Sequence, residues 1–244
     1  MVGKKIQSHI YFNRDDQVKR YESVYGKPDF KEKYPQNKQR LSIFINLLSN
    51  IKPNQVTDAG CGAGLPIVHM LDSGINVNGY DKSENMIKAA KENLKKANYA
   101  PNKVQIGDFE NPNHIEDSSL DCITGMGAFY YARDFISTIK KQKKKLKKGG
   151  HLIFSLRNRL FDLSTLNHYT KNFLYELFEI QTFNEDIKGK FDDLFQDNTI
   201  KGKKFSTVDD FDVLSNFHNP LTVEDEVLEP LGLKLQGIYF YHFH

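Results

Sequence analysis

The sequence predicts an α/β fold, a mostly parallel sheet with helices on both faces, and three observations carry that prediction. Short apolar runs alternate with helical periodicity from residue 55 to residue 156. Strands that alternate with helices build parallel sheets, because each helical crossover returns the chain in the same direction. The first run ends in a glycine-rich loop and the next two end in aspartate, so flexible and charged groups gather at the C-terminal strand ends, where such sheets hold ligands. A last helix and strand pattern follows a long irregular stretch, as an insertion within one core would require.

Residues 15 to 50 are mainly helical in pattern, and 1 to 50 are assigned as an N-terminal helical cap. Leu41, Ile43, Phe44, Leu47 and Leu48 give one apolar face before the Lys52-Pro53-Asn54 turn. The core, 51 to 157, is expected as strand 55 to 59, helix 64 to 72, strand 75 to 80, helix 83 to 97, strand 103 to 107, strand 120 to 125, helix 133 to 147 and strand 151 to 156. Ser83 caps the second of these helices, whose apolar face runs through Met86, Ile87, Ala89, Ala90 and Leu94. Residues 158 to 220 are expected as a substrate-facing insertion after the fifth strand, helical over 164 to 180. Residues 221 to 244 close the core, with Thr222 to Leu231 a helix stopped by Gly232 and Lys234 to Phe243 a final strand.

The loop Asp58-Ala59-Gly60-Cys61-Gly62-Ala63-Gly64 is the most informative segment. Glycines at alternate positions allow close approach of a ligand to the backbone, and the helix starting near Gly64 offers amide N–H groups to a carboxylate or phosphate. A dinucleotide loop needs glycine at its first, third and sixth positions. Counted from Gly60, the sixth position here is Leu65. An acid, Asp58, instead precedes the first glycine and is placed to receive an ammonium group, which S-adenosylmethionine has and a dinucleotide lacks. Asp81, about 20 residues past the loop at the end of Ile75 to Tyr80, is placed to take both ribose hydroxyls. Asp108, at the tip of Val104 to Phe109, is placed to accept from an adenine amino group.

On these motifs the chain resembles the class I S-adenosylmethionine-dependent methyltransferases, in the small-molecule branch that includes the ubiquinone/menaquinone methyltransferases. The resemblance spans about 54 to 157 and rests on five segments in order: the loop, Gly79 to Ser83 with Met86 and Ile87, Asp108-Phe109, Leu120 to Thr124, and Leu146 to Gly150. It implies a Rossmann-like fold with a seven-stranded, mostly parallel sheet whose last strand is antiparallel. It also implies S-adenosyl-L-methionine as cofactor. Asp58, Gly60, Cys61, Gly62 and Gly64 would hold its methionyl group, Asp81 the ribose, and Asp108 and Phe109 the adenine; Met126 and Gly127 would line the cleft beside it, and Lys82 and Met86 are also cofactor-binding. The family's common Leu-x-His after the fourth strand is replaced by Phe129-Tyr130-Tyr131, so no role for that histidine transfers. Residues 157 to 162 and 239 to 244 resemble bacterial methyltransferases of surface-sugar biosynthesis, which makes a sugar or sugar-nucleotide the finer implication.

Composition bounds the alternatives. A chain of 244 residues is long enough for a sizeable core, and a net charge of +3 does not by itself suggest a nucleic-acid or membrane partner. No apolar signal core follows Met1 to Lys5 and no run reaches the ~18 apolar residues of a membrane span. Cys61 and Cys122 stand alone, without disulfide or metal spacing, so a reducing cytoplasm is expected and no metal is. The run Lys140, Lys141, Lys143, Lys144, Lys145, Lys147, Lys148 reads either as an RNA patch or as a solvated helix end whose cations suit the dipole.

Tyr130 and Tyr131 read either as pocket or as core; Tyr21 and Tyr25 lean to core. Arg157 and Arg159 read as binders of an anionic substrate or as surface ion pairs. Methyl transfer needs its nucleophile aligned and deprotonated, and His218 or His242 is the candidate base, with Tyr130 and Tyr131 beside it. The expected function is transfer of a methyl group to an oxygen or nitrogen of a small molecule. The rivals are an RNA or DNA methyltransferase and a non-catalytic S-adenosylmethionine-binding protein. Gly125 to Phe129 is not the Asn/Asp-Pro-Pro-aromatic motif of exocyclic-amine methylation.

Overall fold

Five parallel strands run through the centre of the molecule in the order β3-β2-β1-β4-β5. They are β1 (Val56–Ala59), β2 (Val77–Asp81), β3 (Val104–Ile106), β4 (Leu120–Gly125) and β5 (Leu146–Phe154). The computed structural model describes residues 6–25, 36–161, 163, 168–196, 213 and 215–241. The helices are α1 (Ser8–Phe12), α2 (Asp15–Tyr25), α3 (Gln36–Ile51), α4 (Leu65–Asp72), α5 (Glu84–Lys96), α6 (Phe135–Lys145), α7 (His168–Leu177) and α8 (Glu185–Gln196). From β1 the chain winds outward through α4 to β2 and through α5 to β3, then crosses back to place β4 on the other side of β1. That reversal opens a crevice at the C-terminal ends of β1 and β4, the place where open α/β sheets bind ligands.

Each face of the sheet carries its own core. On one side Leu41, Phe44 and Leu48 of α3, Ile67 and Met70 of α4, and Ile87 and Leu94 of α5 pack with Val56 and Val77. On the other, Phe129, Phe135 and Ile139 join Ile123, Tyr80 and the C-terminal Val223, Val227 and Leu228. Burying each such side chain contributes roughly 1.5–3 kcal/mol. The caps follow the sequence: Ser83 Oγ accepts from the Met86 amide (3.2 Å) at α5, and Asp134 Oδ1 accepts from the Ser137 amide (2.9 Å) at α6.

The helices on both faces and the parallel core match expectation; several details differ. Among the described residues the sheet has five strands, so the expected seven are not seen there. A separate two-stranded parallel ladder joins β6 (Arg157–Asn158) to β7 (Phe217–His218). Residues 233–241 form no strand, and 242–243 of the expected one lie outside the described residues; the Leu235 amide donates to the Glu224 carboxylate (3.1 Å). The expected helix over 222 to 231 is a wide turn, Glu224–Leu228, followed by a tight one, Glu229–Leu231. Pro230 has no N–H to give a regular ladder, and Gly232 ends the element at φ 64°. Helix α6 ends at Lys145, earlier than 147, and β5 begins at Leu146, earlier than 151, because Leu146 already pairs with Leu120. Helix α8 lay outside the expected elements, and α1 falls in the N-terminal cap ahead of the helical pattern over 15 to 50. No helix among the described residues is long and apolar enough to cross a membrane.

Candidate functional site

The loop after β1 needs its glycines. Gly60 has φ +78°, and a Cβ there would stand 2.5 Å from the Ala128 Cβ; Gly64 has φ +73°, and a Cβ there would stand 2.8 Å from the Ala90 Cβ. Glycine alone satisfies both the left-handed backbone and the contact. Close packing against α5 is thus made at Gly64, one residue before Leu65.

The loop's amides are largely committed to the fold. Gly60 N and Cys61 N both donate to the Tyr80 carbonyl (2.8 and 3.0 Å), Gly64 N to the Cys61 carbonyl (3.1 Å), and Gly62 N to Asp81 Oδ2 (3.0 Å). The other oxygen of Asp81 accepts from Ser83 N (2.8 Å). One carboxylate therefore ties the glycine loop to the cap of α5. Burial pushes its carboxyl above the usual range, against the pull of the Ser83 and Gly62 amides.

Asp58 lies deeper. Register places it beside Thr124, whose Oγ1 donates to it at 2.6 Å. Burial pushes its carboxyl up to about 6, opposed by hydrogen bonds from Thr124 and the Met126 amide and by the positive charge of Arg40. For Asp108, burial raises the carboxyl, but the Lys82 ammonium at 2.8 Å and the Glu110 amide at 2.9 Å outweigh it, so the net shift is downward. Phe109 is fixed from below, because Gln142 of α6 donates to its carbonyl at 2.7 Å while bonding the Tyr80 hydroxyl.

A small cavity of about 40 Å³ lies over these strand ends. Gly60, Gly62, Asp81 and Lys82 line it, with Met86, Asp108, Phe109 and Gly127. The other four residues read as donor-binding are not on its wall. Asp58 and Met126 lie beneath the crevice, Gly64 packs on α5, and the Cys61 thiol, raised by burial, donates to the Gly62 carbonyl at 3.8 Å. A second cavity of about 1500 Å³ runs along β5 and α3 and holds Tyr130, Arg157 and His218 on its wall. Phe12, Tyr21 and Tyr131 line both cavities and form the partition between them.

Tyr131 accepts a hydrogen bond from Arg157 Nη2 at 3.2 Å, and burial raises its hydroxyl far above the usual tyrosine range. His218 packs on Phe135 with ring centroids 4.3 Å apart. Its Nε2 is buried without a hydrogen-bond partner, and burial lowers its pKa. His242 lies outside the described residues. Arg159 pairs with Glu176, the surface alternative. The lysine run is largely tied down locally: Lys141 donates to Asn111 (2.7 Å), Lys145 pairs with Asp117 (2.6 Å) and Lys147 with Asp121 (2.7 Å).

Sequence reasoning missed several residues. Ser8, His9 and Phe12 of α1 line the small cavity, and Asn13 fastens that helix to the α5 cap, accepting from Ser83 Oγ (2.9 Å) and Asn85 N (3.1 Å). Ser155 Oγ accepts from Gly127 N at 2.7 Å and so sets the crevice floor. Arg40 is 93% buried, since only 7% of it is exposed, and it donates to Tyr25 and Asn37. Its Nε has no partner, and a Cβ on Gly127 would lie 3.0 Å from its Nη1. An arginine within a helix whose apolar face reads as core gives no sequence signal of this kind.

Residues 52–199 match the Methyltransferase domain family. A ubiquinone biosynthesis O-methyltransferase of Nitrosospira multiformis is 31% identical over 135 residues, 54% of this chain and 54% of that one. Its namesake in Vibrio cholerae is 26% identical over 167 residues, 67% of this chain and 62% of that one. The matches therefore span little more than half the length of these relatives. Among solved structures, an S-adenosyl-L-methionine-dependent methyltransferase of Methanococcus maripaludis, itself described as putative, superposes with a TM-score of 0.49 at 19% identity, covering 75% of this chain and 83% of that one. The magnesium protoporphyrin IX methyltransferase of Synechocystis gives 0.49 at 18% identity, covering 62% and 75%. The chain belongs to the Methyltransferase domain family, and its parallel sheet and glycine loop are those expected of a class I S-adenosylmethionine-dependent methyltransferase.

Proposed function

We propose that this protein transfers a methyl group from S-adenosylmethionine to an oxygen or nitrogen of a small molecule. The observation that carries the reading is the partition: Phe12, Tyr21 and Tyr131 stand between a crevice with donor-binding motifs and a large cavity suited to an acceptor. When bound, the donor supplies an electrophilic methyl group on a sulfonium, already a good leaving group. The protein's work is then to orient, to exclude water and to accept a proton.

Asp81 takes the ribose hydroxyls, Asp108 and Phe109 the adenine, and Asp58 the ammonium group. With the loop amides committed elsewhere, Arg40 takes the donor carboxylate, which its unpartnered Nε and its place beside Gly127 support. Tyr21 and Tyr131 face the sulfonium with their rings, a contact that stabilises a cation by roughly 0.5–2 kcal/mol. Tyr130 and Tyr131 position the acceptor. His218 is the base: its lowered pKa keeps it neutral and its Nε2 is uncommitted. A cavity of about 40 Å³ is far below the roughly 300 Å³ of small-ligand sites, so α1 opens before the donor enters.

In this reading residues 1–50 cap the core, 51–157 bind the donor, 158–220 face the acceptor and 221–244 close the core. A sugar or sugar-nucleotide acceptor is the finer form of the proposal and rests on the resemblance of 157–162 and 239–244. The test is incubation with methyl-labelled donor and fractionated cell extract. Label in the small-molecule fraction supports the reading, label in RNA replaces it with nucleic-acid methylation, and no label leaves a donor-binding protein without turnover.

A further inference from the structure

The large cavity has a charge pattern of which the donor reading uses only Arg40. Seven permanent cations line it, including Arg20, Arg40 and Arg157, and among the described residues no aspartate or glutamate does. The chain has 34 Lys and Arg against 31 Asp and Glu, so this is an asymmetry of placement and not of composition. Of the lysines on the wall, Lys147 is paired with Asp121 at 2.7 Å and Lys143 donates to the Leu231 carbonyl. A low-dielectric cleft lined by one sign of charge concentrates the opposite sign.

Arg157 stands at the centre of that end. Its guanidinium carbon is 5.0, 5.4 and 5.5 Å from the ring centroids of Tyr130, Tyr131 and Phe217, and its Nη2 donates to the Tyr131 hydroxyl at 3.2 Å. The β6–β7 ladder fixes its backbone opposite Phe217. The group is thus held among three rings beside Tyr131, which also lines the donor cavity. A planar guanidinium fork matches a carboxylate or phosphate, and the surrounding rings offer apolar contact to whatever carries it.

We propose that the acceptor is an anion: a carboxylate or phosphate held by Arg157 and steered by Arg20, with an apolar or aromatic body against Tyr130, Tyr131 and Phe217. This rests on the methyltransferase reading of the same site and adds the class of its substrate. The anion belongs either to an organic acid or to a nucleotide, and the test separates them.

The protein is saturated with S-adenosylhomocysteine, and two matched pairs are titrated by calorimetry: 2-naphthoate against 2-naphthalenemethanol, and UDP against uridine. In at least one pair the charged member binds about tenfold or more tightly than the neutral one, a difference of about 1.4 kcal/mol, and that pair identifies the source. Arg157→Gln brings the pair close to parity, Arg157→Lys keeps part of the preference, and Arg20→Gln on the exposed face of α2 lowers it independently. S-adenosylhomocysteine affinity stays unchanged in all three. Equal binding within both pairs, a preference that survives Arg157→Gln, or no binding of any probe overturns the proposal. So does a short oligouridylate that displaces the charged probe with submicromolar affinity. Failure of the donor reading shows separately, as absence of S-adenosylhomocysteine binding to the unmodified protein.

Discussion

Replacing Asp81 with asparagine isolates the carboxylate on which loop and donor both depend. Its two oxygens accept from Gly62 N at 3.0 Å and from Ser83 N at 2.8 Å. Asparagine offers one oxygen and one NH2 group, so one of these amides ends up facing a donor. An unsatisfied buried amide costs about 1–3 kcal/mol, and the fold should lose that much in a urea titration. The ribose hydroxyls lose a charged acceptor as well, about 1–3 kcal/mol of donor affinity, which is about 5- to 150-fold in Kd. Calorimetry with S-adenosylhomocysteine under conditions where the variant stays folded reads the second effect apart from the first. A stability loss with affinity kept within about twofold would show that Asp81 only tethers the loop, and would refute its assignment to the ribose.

Three further outcomes are expected. Asp58 titrates near 6 in the fold against 3.8 when free, so its contribution to apo stability is fully present below pH 3.8 and is lost as pH rises through about 6. Between pH 4 and pH 7 the unmodified protein should lose about 2 kcal/mol relative to Asp58→Asn in denaturant titrations, and S-adenosylhomocysteine affinity should rise over the same range as the carboxylate ionises to meet the ammonium; flat curves contradict both. Gly64→Ala forces a Cβ to 2.8 Å from the Ala90 Cβ at φ +73° and should destabilise the fold by about 2–5 kcal/mol, read from the urea midpoint. His218→Ala should lower kcat by about 100-fold or more while donor Kd holds, and the acid limb of the unmodified enzyme should fall below the usual 6.5 because burial lowers this imidazole; equal turnover removes His218 from the mechanism.

What was legible in the sequence was what depends on local pattern. The β1 loop, Ser83 as a cap, and Asp81 and Asp108 at strand tips follow from spacing, and the structure puts them at one end of one sheet. What stayed hidden depends on contacts far apart in sequence. Arg40 in an apolar-faced helix gave no sign that its Nε would be buried without a partner beside Gly127. Asn13 became meaningful only through its bonds to Ser83 and Asn85, some 70 residues away. The last strand was expected over 234 to 243, yet the Leu235 amide goes to Glu224, because a side-chain carboxylate competes for the same N–H. The loop amides of Gly60, Cys61 and Gly62 are bonded to Tyr80 and Asp81, a commitment made across the sheet that spacing alone does not show.

The most direct test of the central claim is a crystal structure of the complex with S-adenosylhomocysteine. The account predicts the ribose on Asp81, the adenine between Asp108 and Phe109, the carboxylate on Arg40, α1 moved outward, and the sulfur facing the partition at Tyr131. A ligand seated instead along β5 in the large cavity, with the crevice over Gly60 and Gly62 still closed, would contradict it.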